Sequence, residues 1–257
     1  MKPHRVRAWL NPTIDDEAAW LKQAKTVCSL YERARELAAE GVRVVSCDEK
    51  TGMQALERMA PARPTAPGKA MALESWYRRH GTCCLTANFD VATGQIVSPT
   101  LGKTRGNLDF LHHVVRTVDS SSQEKWIFIV DNLNCHTSAE LVRYVARVSG
   151  FKGQLGVKGK SGILKNMRTR ANFLTRDENR VRFVYTPKHC SWMNAVESWF
   201  GQLSRKLLKR LSSDSIEQLK QKVRRFIDWH NLCWAKPLEW TWKPRLPKGI
   251  TETERQH

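Results

Sequence analysis

Long hydrophobic runs are missing from this sequence of 257 residues. None approaches the roughly 20 apolar residues that a membrane-spanning helix needs. The opening residues MKPHRVRAWLNP lack the apolar core of a secretory signal. We therefore expect a cytoplasmic protein with no membrane partner, and the chain is long enough to bury a sizeable core.

CxxC motifs, in which two cysteines are separated by two residues, are also missing. The chain has seven Cys, an odd number, and none of them forms a CxxC pair. The spacing of a zinc site is therefore absent. The adjacent pairs Cys135–His136 and His189–Cys190 offer possible ligands, but reduced thiols that are buried or incidental are the favoured interpretation.

Acidic residues are scarce relative to basic ones. The chain has 25 Asp and Glu against 43 Lys and Arg, which gives a net charge of +18. An excess of this size indicates a polyanionic partner, and nucleic acid is the simplest one. A merely soluble basic protein is the alternative. An anionic membrane surface is less favoured, because no basic amphipathic helix stands apart from the rest.

Hydrophobic periodicity predicts helices and strands in alternation. The first half is predicted to hold a polar helical region in 1–40, a strand from Val42 to Cys47 that ends on Asp48 and Glu49, an extended loop in 57–80, a hairpin turning at 92–94 and a helix at 108–118. The second half is predicted to hold strands at 126–130 and 181–185 and helices at 141–148, 186–211 and 216–227. Capping patterns at Thr137/Glu140 and Asp214/Glu217 precede the first and the last of these three helices. Hairpin strands combined with strand–helix alternation indicate an α/β domain with a mixed sheet.

Residues 151–180 interrupt this rhythm with a basic insertion. The segment holds eight Lys and Arg against two acidic residues, a net charge of +6, and we expect it to be partly helical around 164–174. Five of its basic side chains are predicted to contact DNA phosphates: Lys158, Lys160, Lys165, Arg168 and Arg170. A solvated charged surface is the alternative.

Three carboxylates suggest a metal site. Asp48 and Asp131 each follow an apolar strand, and Glu197 lies at the border of a helix's apolar face. Neighbouring strands would bring the first two to one edge of a sheet. Hard cations such as Mg²⁺ prefer oxygen ligands, and two ions about 4 Å apart can hold both oxygens of a phosphodiester exchange. An Asp that starts a turn and an ordinary helix-edge Glu remain the alternatives.

Four blocks of sequence carry a resemblance to a known family. They are CDEKTGMQALE (47–57), HGTCCLTANFDVATGQIV (80–97), IFIVDNLNCHTS (127–138) and YTPKHCSWMNAVESWF (185–200). Their order and context resemble the catalytic core of insertion-sequence transposases of the Tc/mariner superfamily, over roughly residues 1–243. The resemblance implies an RNase H-like mixed sheet flanked by helices, with a basic insertion before the last catalytic helix. It also implies a catalytic and metal-binding triad at Asp48, Asp131 and Glu197, holding two Mg²⁺ or Mn²⁺ ions.

The resemblance further implies a function. A transposase of this kind cleaves DNA at transposon ends and transfers the freed 3′-OH into target DNA. Its partners are transposon-end and target DNA, it acts as a homodimer, and it is associated with the nucleoid. Two alternatives stay open: a structure-selective RNase H-like nuclease, and an inactive remnant that only binds DNA.

Two departures from the family pattern shape the expected domain organisation. The 65 residues between Asp131 and Glu197 are more than is usual, and the basic insertion accounts for the surplus. Residues 1–40 resemble the end of an N-terminal DNA-binding region, so we expect a helical linker there. Three alternatives stay open for the DNA-binding region itself: a separately encoded helix-turn-helix partner, a truncated remnant and an excised catalytic domain. The catalytic domain is expected at 41–245 and a loose tail at 246–257.

Several neighbours of the carboxylates are candidates for lesser roles. His136 and Asn194 are predicted to support the site, although helix-start packing and an ordinary helix cap explain them equally well. Glu49 should point to the opposite side of its strand from Asp48, which makes Asp48 the preferred ligand. Trp192 and Trp199 could stack on bases, but packing in the core is favoured.

Overall fold

The described part of the chain, residue 14 with residues 16–121 and 123–244 of this computed structural model, forms a five-stranded sheet with helices on both faces. The strands are β1 (Val42–Arg58), β2 (Tyr77–Asp90), β3 (Ile96–Gly102), β4 (Lys125–Val130) and β5 (Val181–Tyr185). Their order is β3-β2-β1-β4-β5. The pairs β1–β2 and β2–β3 are antiparallel, whereas β1–β4 and β4–β5 are parallel. The predicted mixed sheet is confirmed.

Seven α-helices cover this sheet in the described residues. They are α1 (Glu17–Glu32), α2 (Ala34–Ala39), α3 (Asn107–Asp119), α4 (Ala139–Val148), α5 (Met167–Leu174), α6 (Val196–Lys206) and α7 (Ile216–Cys233). Short 3₁₀ turns lie at Asn134–Thr137, Ser191–Met193 and Leu208–Arg210. No helix among the described residues is both long and apolar enough to span a membrane.

Side-chain alternation along the strands divides the core into two layers. Val44, Ile127 and Ile129 point to one face, where they pack with α1, α6 and α7; we call it the α6 face. Val45 and Phe128 point to the other face, which α3, α4 and α5 cover; we call it the α3 face. Because both faces are covered, the parallel strands read as nearly continuous apolar runs.

The parallel pairing of β1 with β4 brings two acids to the same edge. Ser46 lies opposite Ile129 in this register. Asp48 follows Ser46 by two residues and Asp131 follows Ile129 by two residues, and neighbouring strands lie about 4.8 Å apart. The period of two also places Asp48 on the same face as Ser46, the α6 face.

The first strand is much longer than the sequence pattern predicted. It does not end at Asp48 but continues to Arg58, where it pairs with Tyr77 of β2. The predicted extended loop in 57–80 therefore shrinks to 59–76. The register shifts between Lys50 and Met53, and Gly52 with φ +66° accommodates the irregularity. After Ser46 the strand no longer pairs with β4, but its antiparallel partner β2 continues to hold it.

Three predicted helices differ from the structure at their ends or in their length. Ser138, not Thr137, caps α4 by accepting a hydrogen bond from the Leu141 N–H, and Ser215, not Asp214, caps α7. The predicted long helix at 186–211 is broken into a 3₁₀ turn, α6 and a second turn. The predicted helical region in 1–40 is confirmed for α1 and α2, whereas residues 1–13 and 15 and the predicted tail at 246–257 lie outside the described residues.

The basic insertion is packed onto the α3 face of the sheet. Its helix α5 falls in the predicted 164–174 region and buries Phe173 and Leu174 on the α3 face. Phe151 meets Phe173 edge to face, with ring centroids 5.1 Å apart. The insertion is therefore an ordered layer with most of its charged side chains exposed.

Candidate active site

Asp48, Asp131 and Glu197 come from three elements that meet at one edge of the sheet. Asp48 lies within β1 and is buried, Asp131 follows β4 directly, and Glu197 is the second residue of α6 and is exposed. Asp131 and Glu197 are both close enough for their charges to act on Asp48. The structure therefore brings the three predicted acids into one electrostatic cluster.

The protonation of Asp48 reflects this crowding. Burial raises the pKa of Asp48 to about 7, and the charges of Asp131, Glu49 and Glu197 push it in the same direction. The N–H of Glu49, 2.7 Å from Asp48 Oδ1, opposes the rise. A buried acid surrounded by like charge favours a bound cation, which would neutralise the cluster. The donor set, three carboxylates, suits Mg²⁺ or Mn²⁺.

Asn194 ties Asp48 to the start of α6. Its side chain is fully buried, and Nδ2 donates to Asp48 Oδ2 at 3.1 Å and to the Cys47 carbonyl at 2.9 Å. Its Oδ1 accepts from the Ser46 hydroxyl, and the same hydroxyl accepts from the Val196 N–H at 2.9 Å. The helix that carries the third carboxylate is thus hydrogen-bonded directly to β1.

Tyr31 of α1 supports the same turn from the other side. Its hydroxyl donates to the Met193 carbonyl at 2.8 Å and accepts from the Ala195 N–H at 3.2 Å. Sequence reasoning missed Tyr31 and Ser46 as parts of the site. Their only sequence signal was burial, since Tyr31 lies on the apolar stripe of its helix and Ser46 lies within an apolar strand.

His136 lies between two carboxylates. Its Nδ1 is 2.9 Å from Asp131 Oδ1, and its Nε2 is 3.2 Å from Glu49 Oε1. Burial lowers the pKa of His136, but hydrogen bonds to Asp131, Cys135 and Glu49 outweigh burial and raise the pKa well above its ordinary value. Burial likewise opposes ionisation of Asp131, yet the hydrogen bond and charge of His136 hold the pKa of Asp131 below its usual value.

Glu49 points away from Asp48, as predicted from strand alternation. It shares the α3 face with Val45 and Cys47, and its side chain is only 2% exposed. Its hydrogen bond to His136 was not foreseen. No local pattern reports that bond, because the two residues lie 87 positions apart in the chain.

One compact group of metal-ligand types occurs among the described residues. Glu49, Cys135 and His136 place one ligand atom each within 4.8 Å of one another, whereas the three predicted acids are spread more widely. The Cys135–His136 pair noted in the sequence thus gains a third member. In the other pair, Cys190 is buried and His189 is exposed.

A groove extends from Asp131 along the edge of the sheet. Its cavity of about 310 Å³ is lined by 131–133, which follow β4, and by 186–191, which follow β5. Lys188 and His189 are exposed there. An adjoining cavity of about 220 Å³ shares Asn132 and Lys188. Ligands of open α/β sheets commonly bind in such crevices at the carboxyl ends of strands.

The predicted DNA-contacting residues face solvent to different degrees. Lys158, Lys160, Lys165 and Arg168 are exposed, and Lys158 also pairs with Glu140 at 3.5 Å. Arg170 is half-buried, and its Nε donates to the Asn166 carbonyl at 3.1 Å. The charge of Arg170 is therefore partly engaged within its own helix.

The two tryptophans near the third acid differ in burial. Trp199 is 1% exposed and packs with Phe200 and Phe226, which confirms the predicted core position. Trp192 is 52% exposed and meets Trp242 edge to face, so the core prediction is wrong for Trp192. The break in the predicted helix leaves Trp192 on a surface turn.

Comparison with known proteins identifies similar families and folds. A family model described as DDE superfamily endonuclease matches residues 43–220, more than two thirds of the chain. No match was found among curated protein sequences.

Solved structures of a mariner transposase share the fold. The Mos1 mariner paired end complex with Mn aligns with a TM-score of 0.52 and 14% identity, over 87% of this chain and 59% of that one. The pre-cleavage Mos1 transpososome aligns with a TM-score of 0.51 and 13% identity, over 87% and 59%. The Mos1 strand transfer complex gives 0.51 and 13%, over 87% and 58%. This chain thus spans about three fifths of the Mos1 chain, and the predicted RNase H-like fold is confirmed.

Proposed function

The chain belongs to the family of DDE superfamily endonucleases, and we propose that it is the catalytic domain of a DNA transposase. Its reaction would be metal-dependent strand cleavage at transposon ends, followed by transfer of the 3′-OH into target DNA. The observation that supports this most directly is the placement of Asp48 and Asp131 at one sheet edge, beside a helix that carries Glu197 and is tied to β1 through Asn194.

The three carboxylates would hold two Mg²⁺ or Mn²⁺ ions. Carboxylate oxygens are the ligands these ions prefer, and the raised pKa of Asp48 is relieved when a cation enters the cluster. When bound, such ions supply the Lewis acidity that polarises a phosphodiester and stabilises the charge of its displacement. The Mos1 structure with Mn shows that a protein of this fold takes such an ion.

Each residue of the site has a separate task in this proposal. Asp131 is kept ionised by His136, and Asp48 is oriented by the Asn194 amide. Glu197 is exposed, so its side chain is free to turn toward the other two. In the first reaction water replaces the 3′-oxygen on phosphorus. In the second the freed 3′-hydroxyl replaces a target oxygen in line, so no protein–DNA bond forms at any stage.

DNA would be held by the surplus positive charge. The net charge of +18, the exposed Lys188 beside Asp131 and the outward side chains of the insertion all favour a polyanion. The exposed side chains of Lys158, Lys160, Lys165 and Arg168 suit contacts to phosphates. The proposal further includes a homodimer as the active form, a helix-turn-helix partner for end recognition, and action at the nucleoid.

The test uses purified full chain, supercoiled plasmid and Mg²⁺ or Mn²⁺, with Asp131→Asn as the inactive reference. We expect nicked circles from the parent chain only, together with joining of a labelled 3′-OH oligonucleotide to plasmid. Nicking without joining would favour a structure-selective nuclease. Binding without nicking by the parent chain would favour an inactive remnant.

A further inference from the structure

We propose that Glu49 is a positioning residue that acts through His136 to fix the carboxylate of Asp131. We call the two residues the Glu49–His136 clamp. The inference rests on the proposed metal-dependent function, and it adds a residue that the sequence pattern set aside in favour of Asp48.

The clamp is needed because Asp131 lies beyond the last residue of β4. No strand ladder holds it there, and its side chain is 36% exposed. A carboxylate in such a place must lose rotational freedom when it binds an ion. His136 Nδ1, 2.9 Å from Asp131 Oδ1, and the Leu133 N–H, 3.0 Å from the same oxygen, fix the side chain in advance.

Glu49 determines how His136 can act. A neutral imidazole carries its proton on either nitrogen. Glu49 Oε1, 3.2 Å from Nε2, requires a donor at Nε2, and Asp131 requires one at Nδ1. The two carboxylates thus hold both ring nitrogens at once, which fixes the position and orientation of the imidazole. Hydrogen-bonded outer partners of this kind fix the orientation of metal ligands and contribute to their affinity.

The surroundings hold the clamp in one orientation. The Phe110 ring packs on the His136 ring with centroids 4.3 Å apart, and the Tyr185 hydroxyl donates to the His136 carbonyl at 3.0 Å. The side chains of His136 and Glu49 are 0% and 2% exposed. Glu49 thus has almost no solvent to hydrogen-bond with and depends on His136 as its partner, so the pair acts as one unit.

A zinc site is the competing interpretation of the same cluster. Glu49, Cys135 and His136 are ligand types that zinc accepts, and His136 Nδ1 already bonds a carboxylate. A zinc ion would displace the hydrogen bond between Glu49 and Nε2. The clamp needs no thiolate at Cys135, and a serine hydroxyl can keep the hydrogen bond that Cys135 makes to His136. The zinc site requires the thiolate, so Cys135→Ser separates the two.

The chain offers a matched control for Glu49. Glu57 lies on the same strand and also pairs with a histidine, with Glu57 Oε2 2.8 Å from His80 Nε2. This pair lies away from the three acids and is more exposed, at 39% for Glu57 and 26% for His80. Glu57→Ala removes a Glu–His pair from β1 without touching Asp131. It therefore reports what the loss of such a pair does to the strand alone.

The experiment measures Mn²⁺ binding to the metal-free full chain without DNA. We expect Glu49→Ala to weaken binding by about 10-fold or more, as outer-partner changes do at metal sites. Glu49→Gln should lose less, because its amide oxygen still accepts from Nε2. Glu57→Ala and Cys135→Ser should bind like the parent. In plasmid nicking, raised Mn²⁺ should restore the Glu49→Ala variant but not Asp131→Asn.

Thermal melts of every variant accompany the binding data, and if Glu49→Ala does not fold, Glu49→Gln carries the comparison. Parental Mn²⁺ affinity in the folded Glu49 variants would overturn the clamp. Stoichiometric Zn²⁺ binding that Cys135→Ser abolishes would replace it with the zinc site. Unchanged Mn²⁺ affinity in Asp131→Asn would refute the proposed ligand itself and the clamp with it, which distinguishes failure of the proposed function from failure of the clamp alone.

Discussion

Asp48 and Asp131 lie at the same edge of the sheet, but their environments shift their pKa values in opposite directions. Burial and like charge raise the pKa of Asp48, whereas His136 lowers that of Asp131 against the effect of burial. Divergent environments of neighbouring carboxyls are typical of functional sites. In the metal-free protein one acid is therefore poised to release a proton when a cation arrives, and the other is already charged.

The raised pKa of Asp48 predicts a pH dependence of stability. Its unfolded pKa is near 3.9 and its folded pKa about 7, so its contribution to stability is complete below pH 4 and is lost as the pH rises through 7. With a chelator present, the melting temperature of the parent should fall from pH 5 to pH 8, and that of Asp48→Asn should fall less. Each kcal/mol corresponds to about 2–4 °C in a chain of this size. Parallel melting curves would show that Asp48 is not the titrating group.

Glu197 has a control with the same position in another helix. Glu197→Gln should abolish nicking and leave DNA affinity within about twofold, because the change removes a charge from the site and no packing. Glu217 is likewise the second residue of its helix and is exposed, so Glu217→Gln should nick like the parent. The comparison is made by plasmid nicking together with filter binding. Full activity in Glu197→Gln would remove it from the ligand set.

At the level of elements, the site depends on contacts that local sequence cannot report. Strand period and parallel register, which follow from short apolar patterns, predicted that Asp48 and Asp131 lie at one edge of the sheet, although β1 continues beyond Asp48. Their role as metal ligands stays a prediction. The start of α6 was missed because its hydrogen bond to Ser46 joins residues 150 positions apart. The apolar spacing predicted a helix through 186–195, but the hydrogen bonds of Asn194 to β1 hold this segment in a turn, and α6 begins only after it. The long β1 was missed for the same reason, since only its pairing with β2 sustains it.

Asn194 predicts a coupled loss of stability and activity. Asn194→Ala leaves the Ser46 hydroxyl and an oxygen of Asp48 without their buried partner, which costs about 1–3 kcal/mol. Nicking should fall well beyond what unfolding explains, because Asp48 loses the amide that orients its carboxylate. Asn166→Ala is the control, since the Asn166 side chain caps α5 and replacing a cap by Ala lowers stability by a comparable amount, about 0.5–2 kcal/mol. If both variants lose stability and neither loses activity, Asn194 serves only the fold.

The whole molecule carries basic side chains over both faces of the sheet. The insertion places basic side chains over the α3 face, and α7 carries others over the α6 face. Sequence composition predicted a polyanionic partner but not which face would meet it, because charge counts contain no direction. The groove at 186–191 lies where β4 and β5 end. Lys158 of the insertion pairs with Glu140 at the start of α4, the helix that follows the end of β4. DNA lying across this edge of the sheet would meet both the groove and Lys158.

The salt dependence of DNA binding tests this arrangement. Replacing Lys158, Lys160, Lys165 and Arg168 by Ala should weaken binding to any sequence and should flatten the slope of log affinity against log salt by about 0.9 per lost phosphate contact. The matched variant carries the same charge change in four exposed residues over the other face, Lys209, Arg210, Arg224 and Arg225. A general field effect would shift both variants equally, whereas phosphate contacts would change the slope in the insertion variant alone. A slope that changes only in the second variant would place the DNA on the α6 face. Because phosphate contacts fix position without reading bases, the loss should be the same for transposon-end DNA and for a shuffled duplex of equal length.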